Sequence, residues 1–284
     1  MRQKIKNGLV HLVKNNFCWF FLRPFAVFGR FMISKREEFE WQLSNQDLPP
    51  KIVLEDTLTE ALGKGQVLSG PFKGMKYSAN RAVCSAYYPK ILGSYESELH
   101  AIIDSFIKNE YSEVIDIGCA EGYYAVGLAL KISSAEIFAF DTNYEARQLC
   151  YEMATENKVQ NRIHIAGLCS PETLKKFPFT KRGLIVSDCE GFEAALFTSE
   201  SIMNLMNCDM IIETHDWLDI TISDKLRDVF SKTHHIQVIK SVDDIEKAKT
   251  YSSAVTQNAS LRVKQQMFSE QRPGIMEWII CTPK

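Results

Sequence analysis

From residue 113 onward, short apolar runs alternate with stretches of helical spacing. Val114, Ile115 and Ile117 surround a single acid, Asp116, and read as a short buried strand. The chain then turns through Gly118, Ala120 and Gly122, and Val126, Leu128, Ala129 and Leu130 follow with helical periodicity. Residues 136–141 read as a second strand and 144–157 as the helix after it. Strands are expected at 162–166, 183–188 and 209–213, a helix from about residue 223 to 230, and closing strands at 235–239 and 278–281. This alternation predicts an α/β fold with a doubly wound, mostly parallel sheet. Ligands in such sheets bind beyond the carboxyl ends of the strands.

The chain before residue 113 has another character. Residues 1–45 form a basic, aromatic segment, 46–112 a region of helix and loop, and 113–284 the main domain. Residues 47–50 read as a linker and 51–70 as a helix (Leu54, Leu58, Leu62) ending in a Gly-rich turn. Residues 70–77 read as a tight hairpin or loop. Residues 87–96 read as a loop whose tyrosines, Lys90 and Glu96 either form a lid or are ordinary surface turn chemistry. A helix then runs through Ile107.

Composition changes the picture at two points. Net charge is −2 over 284 residues, yet Arg2, Lys4, Lys6, Lys14, Arg23, Arg30, Lys35 and Arg36 all precede the first acid, Glu37. Residues 17–33 are rich in Phe and Trp but broken by Arg23, Pro24 and Arg30, too short and too charged for a spanning helix. Residues 1–36 therefore fit either an interfacial helix on anionic lipid or a helix packing on the domain or on a dimer partner. The eight cysteines include no C-x-x-C pair. That favours reduced thiols in a cytoplasmic protein over a disulfide framework or zinc site.

The turn after the first strand carries the chemistry. A dinucleotide fingerprint wants glycine at all three positions of G-x-G-x-x-G. Here those positions hold Gly118, Ala120 and Tyr123, so the third fails. The spacing that fits is acid-x-Gly-x-small-x-Gly, from Asp116 to Gly122. Asp116, Glu121 and Asp141 set carboxylates around the turn, where a pyrophosphate would be repelled. S-adenosylmethionine (SAM) carries a sulfonium and an ammonium and no phosphate, so an acidic cradle suits it. Asp116, Gly118, Cys119, Ala120, Glu121, Gly122 and Tyr123 are thus candidate cofactor residues. Asp141, about 20 residues on, stands where a ribose-binding acid does, or caps the following helix. Gly167 and Leu168 fall where an adenine edge would lie. The plainer alternative for the whole turn is an ordinary strand–helix joint.

The fourth strand ends in Asp188, Glu190 and Glu193, and the fifth in Glu213, His215 and Asp216. Such crowding of acids is costly without a cation or a shared proton. Asp188, Glu190 and His215 are candidates for the base that takes a proton from an attacking hydroxyl. Asp188, Glu213 and Asp216 are candidates to hold Mg²⁺ or Mn²⁺. Helix capping and a solvated face are the alternative.

With those residues in view, the sequence resembles the FkbM-type SAM-dependent methyltransferases. The residues concerned are VIDIGCAEGYYAVGLAL, FAFD, the D-x-EG-x-E pattern at Asp188, Glu190, Gly191 and Glu193, and IIETHD, over about 75–240. The resemblance implies a seven-stranded Rossmann-like class I methyltransferase sheet with a reversed last strand. It implies O-methylation, often of sugars or polyketide hydroxyls, with Asp116, Gly118, Gly122 and Asp141 binding SAM. The positions of Asp188 and 213–216 also look like the metal-binding strand ends of Mg²⁺-dependent sugar O-methyltransferases, although His215 departs from an all-carboxylate set. The expected function is methyl transfer to a hydroxyl of a saccharide or glycolipid precursor, with no nucleic-acid partner. The alternatives are a methyltransferase for a protein or small aglycone, a NAD-dependent oxidoreductase, and a non-catalytic protein of the same fold.

Overall fold

The computed structural model describes Gly63 and residues 65–284 other than 79–81, 84 and 252. Contacts divide the chain into Met1–Val53 and Leu54–Lys284, and every described residue belongs to the second unit. The basic N-terminal segment, the linker at 47–50 and the body of the helix expected over 51–70 lie outside the described residues.

The sheet has seven strands: β1 (Glu113–Ile117), β2 (Glu136–Phe140), β3 (Ile163–Ala166), β4 (Gly183–Ser187), β5 (Cys208–Thr214), β6 (His234–Lys240) and β7 (Glu277–Pro283). Their order is β3-β2-β1-β4-β5-β7-β6. The pairs from β3 through β5 are parallel, and β7 runs antiparallel to both its neighbours. This is the class I methyltransferase arrangement, with the last strand reversed.

Alternate residues of each strand feed two cores. Val114, Ile137 and Ile211 join one face, packed by α2 (His100–Phe106), α3 (Tyr123–Lys131), α4 (Tyr144–Glu156), α8 (Asp244–Thr250) and α9 (Leu261–Phe268). Ile115, Ile117 and Ile212 join the other, packed by α5 (Pro171–Lys176), α6 (Glu193–Leu196) and α7 (Ile222–Phe230). β1, β4 and β5 are buried along their whole length. That explains why apolar residues stand side by side in them, as Val114 with Ile115 and Met210 with Ile211 and Ile212, and do not alternate with polar ones.

Three stretches differ from the sequence reading. From Gly65 the chain is not helical: Gln66 bridges Lys76, and the Val67 N–H donates to the Met75 carbonyl at 2.8 Å across the 70–74 turn. The stretch at 87–96 begins as a helix, α1 (Tyr87–Leu92), with Lys90, Ile91 and Leu92 buried, and so is no surface loop. Between the strands expected at 235–239 and 278–281 the sequence reading assigns no element, and the structure places α8 and α9 there. Asp243 and Ser260 cap them, N-cap signals that carry little weight in single short helices.

Candidate active site

A cavity of about 420 Å³ opens at the carboxyl ends of β1, β2 and β4. That is within the ~300–1,000 Å³ range of small-molecule sites. Asp116, Gly118, Cys119, Ala120, Tyr123, Asp141, Gly167, Leu168, Asp188 and Glu190 line it.

Gly118 has φ +83°, and a Cβ there would lie 1.7 Å from the Asp188 carbonyl oxygen. Only glycine lets the end of β1 pass so close to the end of β4. The Ala120 N–H donates to Asp141 Oδ2 at 2.9 Å, and the Asn143 N–H donates to Asp141 Oδ1 at 2.7 Å. One carboxylate thus ties the glycine turn to the start of α4. It does so without being the cap of α4, a role that Asn143 takes. Asp116 is almost wholly buried, and its Oδ2 has no hydrogen-bond partner among the described residues. Burial pushes its carboxyl up to about 8, with Asp188 and Asp141 adding to the rise against a lowering bond from the Ala125 N–H.

Glu121 and Gly122, both expected at the cofactor, are not in the cavity wall. Glu121 turns inward and pairs with Lys90 Nζ at 2.6 Å, with both side chains buried. It also accepts from Tyr77 Oη at 3.2 Å and the Val83 N–H at 3.0 Å. A carboxylate so engaged is a structural anchor for α1, because leaving it unpaired in that interior would be costly. Gly122, with φ +96°, leaves room for Cys150 Sγ behind the turn.

A second cavity, about 130 Å³, adjoins the first and shares Ser85, Tyr95, Asp188 and Glu190 with it. His215 sits in its wall, buried, with Nδ1 2.7 Å from Glu193 Oε1. The other ring nitrogen, Nε2, lies 3.4 Å from Asp188 Oδ1 and 3.5 Å from Glu190 Oε2. Burial lowers the imidazole's basicity, but the Glu193 bond and the neighbouring acids outweigh it, so the net shift is upward. The three catalytic candidates, Asp188, Glu190 and His215, are therefore brought together.

The metal candidates are not. Asp216 turns away, accepting the Ser223 N–H at 2.9 Å near the start of α7. Its place is taken by His215: ligand atoms of Asp188, Glu213 and His215 all lie within 4.8 Å of one another. The chain reverses directly after β5, so 213 and 215 face the cavity while 216 faces α7. Glu213 is buried and bonded by Arg272 Nη1. Burial and the Asp188 charge push the Glu213 carboxyl well up, and Arg272 pulls it back.

Arg272 is the residue the sequence reading missed. Besides Glu213 it donates from Nη2 to Glu96 at 2.9 Å and from Nε to Glu270 at 3.0 Å. Glu96 also accepts from Tyr124 Oη, and Glu270 from Lys247 Nζ. Five carboxylates (Asp188, Glu213, Glu96, Glu98 and Glu270) thus gather around two cations, Arg272 and Lys247. The surplus shows in Glu96, which burial raises to about 7 against the pull of Arg272. No periodicity or spacing marks Arg272; a single basic residue beside acids in an irregular stretch carries no local signal. Glu193 was legible only as part of a sequence pattern, since its contact with His215 spans separate elements.

No protein-family model matches the chain, and no curated protein does. Solved structures resemble it in fold at low identity. A putative O-methyltransferase from Klebsiella pneumoniae is 10% identical, with 86% of this chain and 94% of that one covered and a TM-score of 0.45. The precorrin-6y C5,15-methyltransferase of Geobacter metallireducens is 13% identical over 65% of this chain and 87% of its own, with a TM-score of 0.43. The geranyl diphosphate C-methyltransferase of Streptomyces coelicolor is 9% identical over 69% of this chain and 79% of its own, with a TM-score of 0.40. By its strand order and its reversed β7, this is a methyltransferase-fold protein.

Proposed function

We propose that the chain is a SAM-dependent O-methyltransferase acting on a hydroxyl of a saccharide or glycolipid precursor. One observation carries the reading: the acidic glycine turn lines the larger cavity, which meets the His215 cavity at Asp188 and Glu190. A cationic cofactor suits that turn. Asp116 is buried with an oxygen that has no hydrogen-bond partner among the described residues, and a positive charge beside it would favour its ionised form. A pyrophosphate would meet Asp116, Asp141 and Asp188 instead, which disfavours NAD. When bound, SAM supplies an electrophilic methyl group. Asp141 would take the ribose hydroxyls, each of its oxygens having a second lone pair to offer. Gly167 and Leu168 would border the base.

The acceptor's proton would pass to His215 Nε2. With Nδ1–H held by Glu193, the neutral ring presents its lone pair on Nε2, toward the shared mouth of the cavities. Alignment of acceptor and methyl by Asp188 and Glu190 would supply much of the remaining rate. The saccharide part of the reading rests on the resemblance to FkbM-type enzymes. A homodimer, and contact of residues 1–36 with the cytoplasmic face of a membrane, rest on sequence alone. Among the described residues no helix is long and apolar enough to cross a membrane.

A divalent cation is a second reading, favoured by the Asp188–Glu213–His215 donor set. The imidazole suits Mn²⁺ better than Mg²⁺. Arg272 already neutralises Glu213 in part, which weakens the case for a tightly held ion.

Calorimetry with SAM and with NADH tests the function. SAM should bind and NADH should not, and Asp141→Ala should weaken SAM by roughly 1.5–3 kcal/mol. Binding of NADH alone would replace the reading with an oxidoreductase. SAM binding without turnover on any hydroxyl acceptor would leave a non-catalytic protein of this fold.

A further inference from the structure

The smaller cavity encloses about 130 Å³, well under the ~300–1,000 Å³ of a site that swallows a drug-sized ligand. It has room for the reacting end of an acceptor and little else. The remainder must lie outside, and one side of the mouth, at Trp217, carries large apolar side chains. The loop between β5 and α7 holds Trp217, Leu218 and Ile220, which are 55, 50 and 82% exposed. Trp217 borders both the smaller cavity and a neighbouring depression lined by Ile275, itself 54% exposed. Leu218 leans on the backbone beside Glu190, since a Cβ on Gly191 would come within 2.9 Å of its Cδ1. Single exposed apolar residues need no explanation, but several large ones on one loop and the depression beside it, reaching the cavity wall through Trp217, mark a binding surface.

The inside of the cavity has the opposite character. Four carboxylates, Asp188, Glu190, Glu213 and Glu270, line it against the Arg272 guanidinium and the His215 imidazole. A phosphate or carboxylate at the reacting end would be repelled there. We propose that the acceptor is an amphiphile: an uncharged hydroxyl-bearing end enters the smaller cavity, and an apolar chain attached near it lies across Trp217, Leu218, Ile220 and Ile275. This rests on the methyl-transfer reading of the two cavities. An alkyl chain fits the rim better than a docked protein does, because a protein seated there would cover the mouth through which the acceptor enters.

The probes are methyl, butyl and octyl β-D-glucoside, titrated below micelle formation into the full chain saturated with S-adenosylhomocysteine. Affinity should rise about tenfold or more from butyl to octyl, as partial burial of four methylenes implies. Ile220→Ser combined with Trp217→Ser should abolish that gain and leave S-adenosylhomocysteine affinity unchanged. Both positions are exposed, so the variant is expected to fold. A flat series in protein that binds S-adenosylhomocysteine would overturn the proposal, leave the methyl-transfer reading standing, and return the rim to a protein partner. A chain-length gain that survives in the variant would place the alkyl chain elsewhere and overturn it too. A gain in protein that binds no S-adenosylhomocysteine would overturn the methyl-transfer reading, and the acceptor assignment with it.

Discussion

Glu193 Oε1 holds His215 Nδ1 at 2.7 Å, and so aims the opposite ring nitrogen at Asp188 and Glu190. Burial alone would raise the Glu193 carboxyl. The bond and charge of His215 and the backbone N–H groups of Glu193 and Gly191 bring it below its ordinary range. An ionised Glu193 keeps the proton on Nδ1 and frees Nε2 to accept one. Removing the imidazole should therefore cost catalysis and not cofactor binding. His215→Ala is expected to lower turnover about 10²–10⁴-fold with SAM affinity within a few-fold. Single-turnover kinetics beside calorimetry will separate the two, and wild-type turnover in this variant would remove His215 from the chemistry.

Asp116 makes the free protein's stability depend on pH. Its folded-state carboxyl is raised to about 8, while an unfolded aspartate titrates near ~4. A raised acid contributes stability that is complete below the unfolded value and is lost as pH rises through the folded one. Thermal midpoints without SAM should fall between about pH 4 and pH 8, and Asp116→Asn should flatten that slope. For the same reason a cationic ligand should displace a proton at neutral pH. Calorimetry in buffers of different ionisation enthalpy will count it, and zero protons released would mean that Asp116 does not face the ligand's charge.

Arg272 is the counterion for Glu96, Glu213 and Glu270 together. Arg272→Met would leave those carboxylates buried without it. Breaking a buried pair from one side costs ~3–5 kcal/mol, which for a domain of this size is a midpoint about 6–20 °C lower. Carboxylates that can no longer ionise pick up protons instead, so the loss should be larger at pH 8 than at pH 6. Equal loss at both would show that packing against Trp278, whose ring lies 5.7 Å from the guanidinium, matters more than charge.

The donor set at Asp188, Glu213 and His215 makes its own claim. If it holds a cation, EDTA should abolish turnover and Mn²⁺ should restore it more fully than Mg²⁺. Full activity in EDTA, with Asp188→Asn inactive, would leave proton transfer and positioning as the whole role of these residues.

What the sequence alone determined was whatever is written locally. Val114, Ile115 and Ile117 are apolar on both sides of the strand because β1 is covered on both faces. Gly118 is glycine because two strand ends meet within contact distance there. From such runs and turns the seven strands followed, with the cavity placed at their carboxyl ends. The tertiary structure decided where charges point. Glu121 and Asp141 look alike beside the same turn, yet one faces the cavity and the other is drawn inward by Lys90 from an element 31 residues away. Asp216 and His215 are neighbours, and a single reversal after β5 puts the imidazole in the site and the acid at α7. Arg272 reaches Glu96 across 176 residues. Hydrophobic periodicity reports the local backbone, which repeats every two or 3.6 residues. An ion pair is set by how distant elements pack, and nothing in the spacing of residues along the chain encodes it.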